Sequence, residues 1–181
     1  MTRFAIIDRS EMNAEQARVF DAAKSAGGVT GGPYYAYIRL PALFEAAQNL
    51  RQCLYAGPLS GRERQIVNLV VARHWGARYP WCAQVRGALA VGLEQSVIDD
   101  INARRIPRLE NDRERACFAV ASELLANKTI SDRTYAGAEV AMGLEDLVAL
   151  IATAGSFTMT CLTANTFEVD RPADAPTPLA E

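Results

Sequence analysis

Residues 73–87, RHWGARYPWCAQVRG, gather the side chains of this chain best suited to chemistry: the only histidine, both tryptophans and one of four cysteines. His74 is a general base if it faces a cleft, and Tyr79 is a phenolic proton donor. Cys82 follows Pro80, a residue suited to the first turn of a helix. If Pro80 opens the helix, the helix dipole favours a Cys82 thiolate. Spacing weighs against both nucleophile and base. At ~100° per residue His74 lies on the face of Val67, Val70 and Val71, away from the face that carries Gln65. Cys82 is nearly opposite Gln84, and buried cysteine commonly acts as a small apolar side chain. Trp81, Gln84, Val85 and Ala88 follow the i, i+3, i+4, i+7 rule. Meeting the Gln65 face, they would wall an apolar cleft with two amides. Such a cleft suits a neutral or carboxylate-bearing organic molecule, with Arg78 or Arg86 as its cation and Thr160 and Asn165 as polar lining. Ordinary core, with the amides bonded to each other, is the competing reading.

These residues need helices to position them, and helix signals recur along the chain. Asn13 with Gln16 and Ser60 with Glu63 make capping boxes, Pro41 suits a first turn, and Gly27–Gly28 and Gly57–Pro58 are stops. Further helices are expected at roughly 94–104, 110–127, 132–142 and 145–167, joined by short loops. The expectation is an all-α antiparallel bundle, residues 1–181 forming one domain. The proline-rich tail, 170–181, is expected to lie extended over the surface or a neighbouring subunit. GGVTGGPYYAYIRLP is the one conspicuous irregular stretch, and its tyrosines could wall a pocket.

The chain has 181 residues, half of them hydrophobic, and a net charge of −2. Neither nucleic acid nor an anionic membrane surface is expected as a partner. Asp8 and Arg9 interrupt any apolar leader, no uninterrupted apolar run reaches ~18 residues, and the four cysteines form no C-x-x-C pair. A cytoplasmic protein with reduced thiols is expected. No histidine pair for zinc and no glycine-rich phosphate loop is present, so neither metal nor cofactor is expected.

The order of GGPYYAYIRLPALFEAAQNL, LSGRERQIVNLVVARHWGARYPWCAQVRGALAVGLEQSVIDDI and TANTFEVDRPADAPTPL resembles the carboxymuconolactone decarboxylase and alkyl hydroperoxidase D-like superfamily. The resemblance implies an all-helical fold and a homo-oligomer, trimer or hexamer. In redox-active members a glutamate, a C-x-x-C and a histidine form a proton relay. By resemblance these positions fall on Gln65, on Ala77 and Pro80, and on Gln84. No group there can form a disulfide or move a proton near neutral pH. Other members carry a tyrosine-x-tryptophan followed by a histidine; Tyr79 and Trp81 match, and Gln84 stands in for the imidazole.

Three functions follow. The first is a cofactor-free decarboxylase or other lyase on a small carboxylate or lactone. Gln65 and Gln84 would orient the substrate, Ala77, Arg78, Pro80, Trp81 and Asn165 would help to bind it, and Tyr79, Cys82 or His74 would donate the proton. The second is a peroxidase or thiol oxidoreductase, disfavoured by the missing C-x-x-C. The third is a non-catalytic ligand-binding or structural oligomer.

Overall fold

The computed structural model describes residues 2–171 and 176–181. Eight α-helices run α1 (Ala14–Ser25), α2 (Tyr34–Tyr37), α3 (Pro41–Ala56), α4 (Gly61–His74), α5 (Arg78–Ala90), α6 (Gln95–Asn102), α7 (Asp112–Asn127) and α8 (Asp132–Thr166), with a 3-10 turn at Arg9–Glu11. No strand occurs among the described residues. The fold is all-α, as the cap pattern implies. Both capping boxes form: Asn13 accepts from the Gln16 amide and Ser60 from the Glu63 amide, while Gln16 and Glu63 return bonds to the cap residues.

Helix α4 is the axle. It packs against α7, α8, α5 and α6, and it is the helix with the most buried side chains. Ile66, Val67, Leu69 and Val71 are fully enclosed with Trp81, Val85, Val97, Ile98 and Leu150 in the main core. A smaller cluster joins α1, α2 and α3 through Val19, Tyr34, Tyr37, Ile38 and Phe44. Each fully buried aliphatic chain contributes about 1.5–3 kcal/mol relative to exposure. The two clusters therefore hold two rigid walls, and the seam between them is where a cavity can open.

Two boundaries differ from the sequence reading. Helix α5 starts at Arg78, not at Pro80, with Ala77 as its extended cap. Pro80 is then the third helical residue, still within the turn whose N–H groups need no partner, so the ring fits without a break. Cys82 becomes the fifth residue, past the first turn that would stabilise a thiolate. The irregular stretch also contains α2, a single turn around the tyrosines. The expected division near residue 143 is present as a break: Gly143 (φ 81°, ψ 168°) interrupts α8 with non-helical backbone. By length and composition α8 could cross a membrane, yet it packs along α4 and α7 in the core.

Of the tail, residues 172–175 lie outside the described residues. Residues 176–181 lie on the chain's own α5 and α6: Trp81 Nε1 donates to Thr177 O (2.9 Å), Asn102 Nδ2 to Pro178 O (2.9 Å) and Ala180 N to Asn102 Oδ1 (2.8 Å).

Candidate active site

The seam between the two clusters holds a cavity of about 280 Å³, at the small end of the ~300–1,000 Å³ typical of ligand sites. Helix α4 lines it with Arg64, Gln65 and Asn68, and α5 with Tyr79, Pro80, Ala83, Gln84 and Gly87. Both sets obey helical spacing, so each helix turns one stripe inward. The α5 stripe is 80, 83, 84 and 87, one step round from the expected 81, 84, 85 and 88. Trp81, Val85 and Ala88 face the core instead, and Gln84 sits at the border between the two faces. Arg51, Leu54 and Tyr55 of α3, with Thr153, Ser156, Phe157 and Thr160 of α8, complete the walls. Val29, Pro33 and Tyr34 form the roof.

Glycines set the close approaches. A Cβ on Gly87 would stand 2.6 Å from Gln65 Nε2, so α5 passes directly over the Gln65 amide. At Gly32 (φ +62°) a Cβ would stand 2.2 Å from the Tyr79 ring, which is why the roof loop lies flat on that ring. Gln48 fixes the same loop by accepting from Val29 N (3.2 Å) and donating to Val29 O.

Gln65 and Gln84 do not pair with each other as the competing ordinary-core reading requires. Asn68 Nδ2 donates to Gln84 Oε1 (3.2 Å), and Gln65 bonds to neither. Gln65 Oε1 and Asn68 Oδ1 are buried without a partner, and so is Arg64 Nε. These are the only buried side-chain polar atoms without a partner among the described residues, and all three residues line this cavity. Such an atom costs about 1–3 kcal/mol when left unmet, and the three residues that carry them lie together beside this cavity.

The described lining residues include no carboxylate, thiol or imidazole. The titratable groups are two guanidiniums and the phenols. Burial pushes the Tyr79 phenol above its ordinary range; Tyr35 adds to this and Arg86 opposes it. Tyr34 is raised by burial as well, against the pull of Arg51. Both stay protonated at neutral pH.

The other expected site residues lie elsewhere. His74, exposed at the end of α4, lines a second depression of about 680 Å³ with Arg73, Arg104 and Phe118. Burial and Arg104 push its pKa below the ordinary value. That depression is larger, but none of the unpartnered buried atoms lies in it. Ala77, Trp81 and Cys82 are enclosed in the main core. Arg78 and Asn165 line a third, polar depression, where Asn165 Nδ2 is engaged by Trp75 O (2.8 Å). The structure thus brings together Gln65, Tyr79, Pro80, Gln84 and Thr160. It adds Arg51, Arg64 and Asn68, which sequence reasoning missed. The Gln65–Asn68 spacing within the otherwise apolar run 65–72 was the one signal for Asn68; the arginines carried none, because their meeting depends on how α3 docks against α4.

Residues 41–123 match the carboxymuconolactone decarboxylase family. A peroxidase-related protein of Silicibacter sp. TM1040 superposes with a TM-score of 0.77 at 17% identity, covering 99% of this chain and 96% of that one. An alkylhydroperoxidase AhpD core protein of Ralstonia eutropha JMP134 gives 0.76 at 16%, covering 98% and 97%. The family match thus covers a little under half of the chain, and over its whole length the chain has the fold of these alkyl hydroperoxidase D-like structures. The same fold carries different activities: the debrominase Bmp8, solved with 2,3,4-tribromopyrrole, gives a TM-score of 0.75 at 14% identity over 96% of this chain and 95% of that one. No curated protein matches the chain. The matched segment, 41–123, spans α3, α4, α5, α6 and most of α7, and so includes the α3, α4 and α5 walls of the cavity.

Proposed function

We propose that this chain is a carboxymuconolactone decarboxylase-like, cofactor-free lyase that decarboxylates a small conjugated acid or lactone in the α4–α5 cavity. The observation that carries this reading is the convergence of Gln65, Asn68, Gln84 and Tyr79 on one cavity with no thiol and no imidazole among its described lining residues. In the reaction the C–CO2⁻ bond breaks and its electron pair moves into the substrate's conjugated carbonyl. CO2 departs, and the resulting dienolate takes a proton at carbon. Amide N–H groups of Gln65 or Gln84 stabilise the oxygen on which charge develops. The Tyr79 phenol, kept protonated by burial, supplies the proton and recovers it from solvent. Apolar walls from Pro33, Leu54 and Phe157 favour loss of the charged carboxylate as neutral CO2.

A dithiol peroxidase reading finds less support. Cys82, Cys117 and Cys161 are buried, and burial pushes the thiols of Cys117 and Cys161 up to about 12. The test is CO2 release from carboxymuconolactone by the purified chain, alongside peroxide consumption with a dithiol reductant. Gln84→Ala is expected to lower turnover by about 10²-fold, the scale of one lost oxyanion donor, without unfolding the protein. Unchanged turnover in a folded Gln84→Ala protein removes Gln84 from the mechanism. Peroxide reduction that disappears in Cys82→Ser overturns the lyase reading.

The chain is also proposed to self-associate through α8, where Val140, Leu144, Val148 and Ile151 expose apolar surface. Sedimentation velocity tests it: a trimer or hexamer is expected, and a monomer across the concentration range rejects it.

A further inference from the structure

The rim of the cavity carries an arrangement that the decarboxylation chemistry does not use. Arg51 of α3 and Arg64 of α4 both lie over the Tyr55 ring, with guanidinium carbons 4.1 and 4.3 Å from its centroid. Neither is ion-paired with an Asp or Glu among the described residues, whereas the partly buried arginines at the start of α4 and α7 are: Arg62 holds Glu114 and Glu94, and Arg113 holds Glu63 and Asp146. Arg64 Nη1 donates to Leu59 O (2.8 Å), which fixes the head group and leaves Nε buried and unmet. Deeper in, the unmet atoms have the opposite polarity. Gln65 (7% exposed) and Asn68 (4%) each bury an acceptor oxygen without a donor.

An occupant that completes this site must offer an acceptor, best a charged one, to the arginines, and an O–H or N–H donor to the amides. From this polarity pattern we infer that the cavity binds a small organic acid bearing a hydroxyl or amine donor, its carboxylate held by Arg64 and Arg51 and its donor group by Asn68 and Gln65. Tyr55 acts as the spacer that holds the two cations side by side without a counter-ion, through attraction of each to its ring. A guanidinium gripping a leaving carboxylate would stabilise the ground state and not the transition state. The acid held at the rim is therefore one that the reaction keeps, and Arg51 and Arg64 are specificity residues. This inference rests on the proposed use of the cavity and extends it to the substrate class.

The test measures binding, not turnover. The full chain is titrated calorimetrically with the ortho, meta and para hydroxybenzoates, with benzoate, which lacks the donor, and with phenol, which lacks the acid. At least one hydroxybenzoate is expected to bind roughly ten- to hundredfold more tightly than phenol, the range of a hydrogen bond to a charged group, and about three- to tenfold more tightly than benzoate. Arg64→Met should abolish the preference over phenol and keep the preference over benzoate. Asn68→Leu should do the reverse. Arg51→Met, away from the α4 core, repeats the first comparison should the Arg64 variant fail to fold. Equal binding of acid and phenol, a preference that survives both arginine substitutions, or no binding of any of the five compounds overturns the inference. Discrimination without CO2 release from carboxymuconolactone keeps it and removes the lyase reading; release that is indifferent to Arg51 and Arg64 does the opposite.

Discussion

Gln65 makes no hydrogen bond to any described residue, and its amide is confined by the bare Cα of Gly87. Gly87→Ala therefore separates site from scaffold. The new methyl meets the tip of a flexible side chain, which can swing away cheaply, and alanine is the better helix former by about 0.8–1 kcal/mol. Thermal stability is expected to hold or rise slightly, while ligand affinity falls because the amide is pushed off its position. A drop in melting temperature with binding intact would show that the close approach serves packing alone. The same scale governs pH dependence. The described lining residues include no carboxylate, thiol or imidazole, and burial raises the Tyr34 and Tyr79 phenols, so neither of these phenols ionises between about pH 6 and pH 9. A flat kcat/KM profile is expected across that window. An acid limb below about pH 6.5 that vanishes in His74→Asn would return the histidine to the mechanism.

At the scale of elements, the sequence was most informative where local chemistry decides structure. Capping boxes at Asn13 and Ser60 and the glycine stops are short-range events, and they place helix ends within a residue or two. Face assignments were legible for α4, where Gln65 stands out among aliphatics. They slipped by one residue on α5, where Trp81 read as a wall of the cleft. A tryptophan satisfies burial and its N–H together by facing the core and donating to Thr177 O, a carbonyl nearly a hundred residues on, and no local pattern announces that partner. Cys82 is buried in the core, as its reading as a small apolar side chain has it, and the helix start that its reactivity required lies two residues later than the actual one. Arg51 and Arg64 were invisible because their meeting over Tyr55 depends on how α3 docks against α4. The roof loop is the element most sensitive to a single change. Gly32→Ala places a methyl in the Tyr79 ring and a side chain at φ +62°. The left-handed backbone alone adds about 1–2 kcal/mol. Thermal unfolding is expected to shift down by more than that conformational penalty; an unchanged midpoint would mean that the loop lifts freely.

For the whole molecule, the outer ends of α4 and α7 are tied by charge. Glu63 is buried beside Arg113, which also reaches Asp146 (2.8 Å), and Glu114 is buried beside Arg62 (2.7 Å). Burial pushes the Glu63 carboxyl up, but Arg113 and the Ser60 backbone more than offset this, and it titrates below the ordinary range. A carboxylate with a depressed folded-state pKa stabilises the fold above its unfolded value, about 4.3, and that contribution is lost as pH falls through the folded value. Acid unfolding is thus expected to begin below about pH 4.3. In Arg113→Ala the charge of Glu63 loses its counter-ion inside the protein, a loss of about 3 kcal/mol at neutral pH. Below the carboxylate range the variant and parent should converge, and denaturant titrations at two pH values check both statements.

The indole of Trp81 has one further consequence. It is sealed on one side of α5, bonded to the tail, while Gln84 and Tyr79 look out from the other. Cutting away residues 176–181 would admit water to that ring and move its fluorescence to longer wavelength. An occupant of the cavity leaves the ring dry, so light emitted by Trp81 reports the clasp of the carboxyl terminus independently of the catalytic chamber a helix-width away.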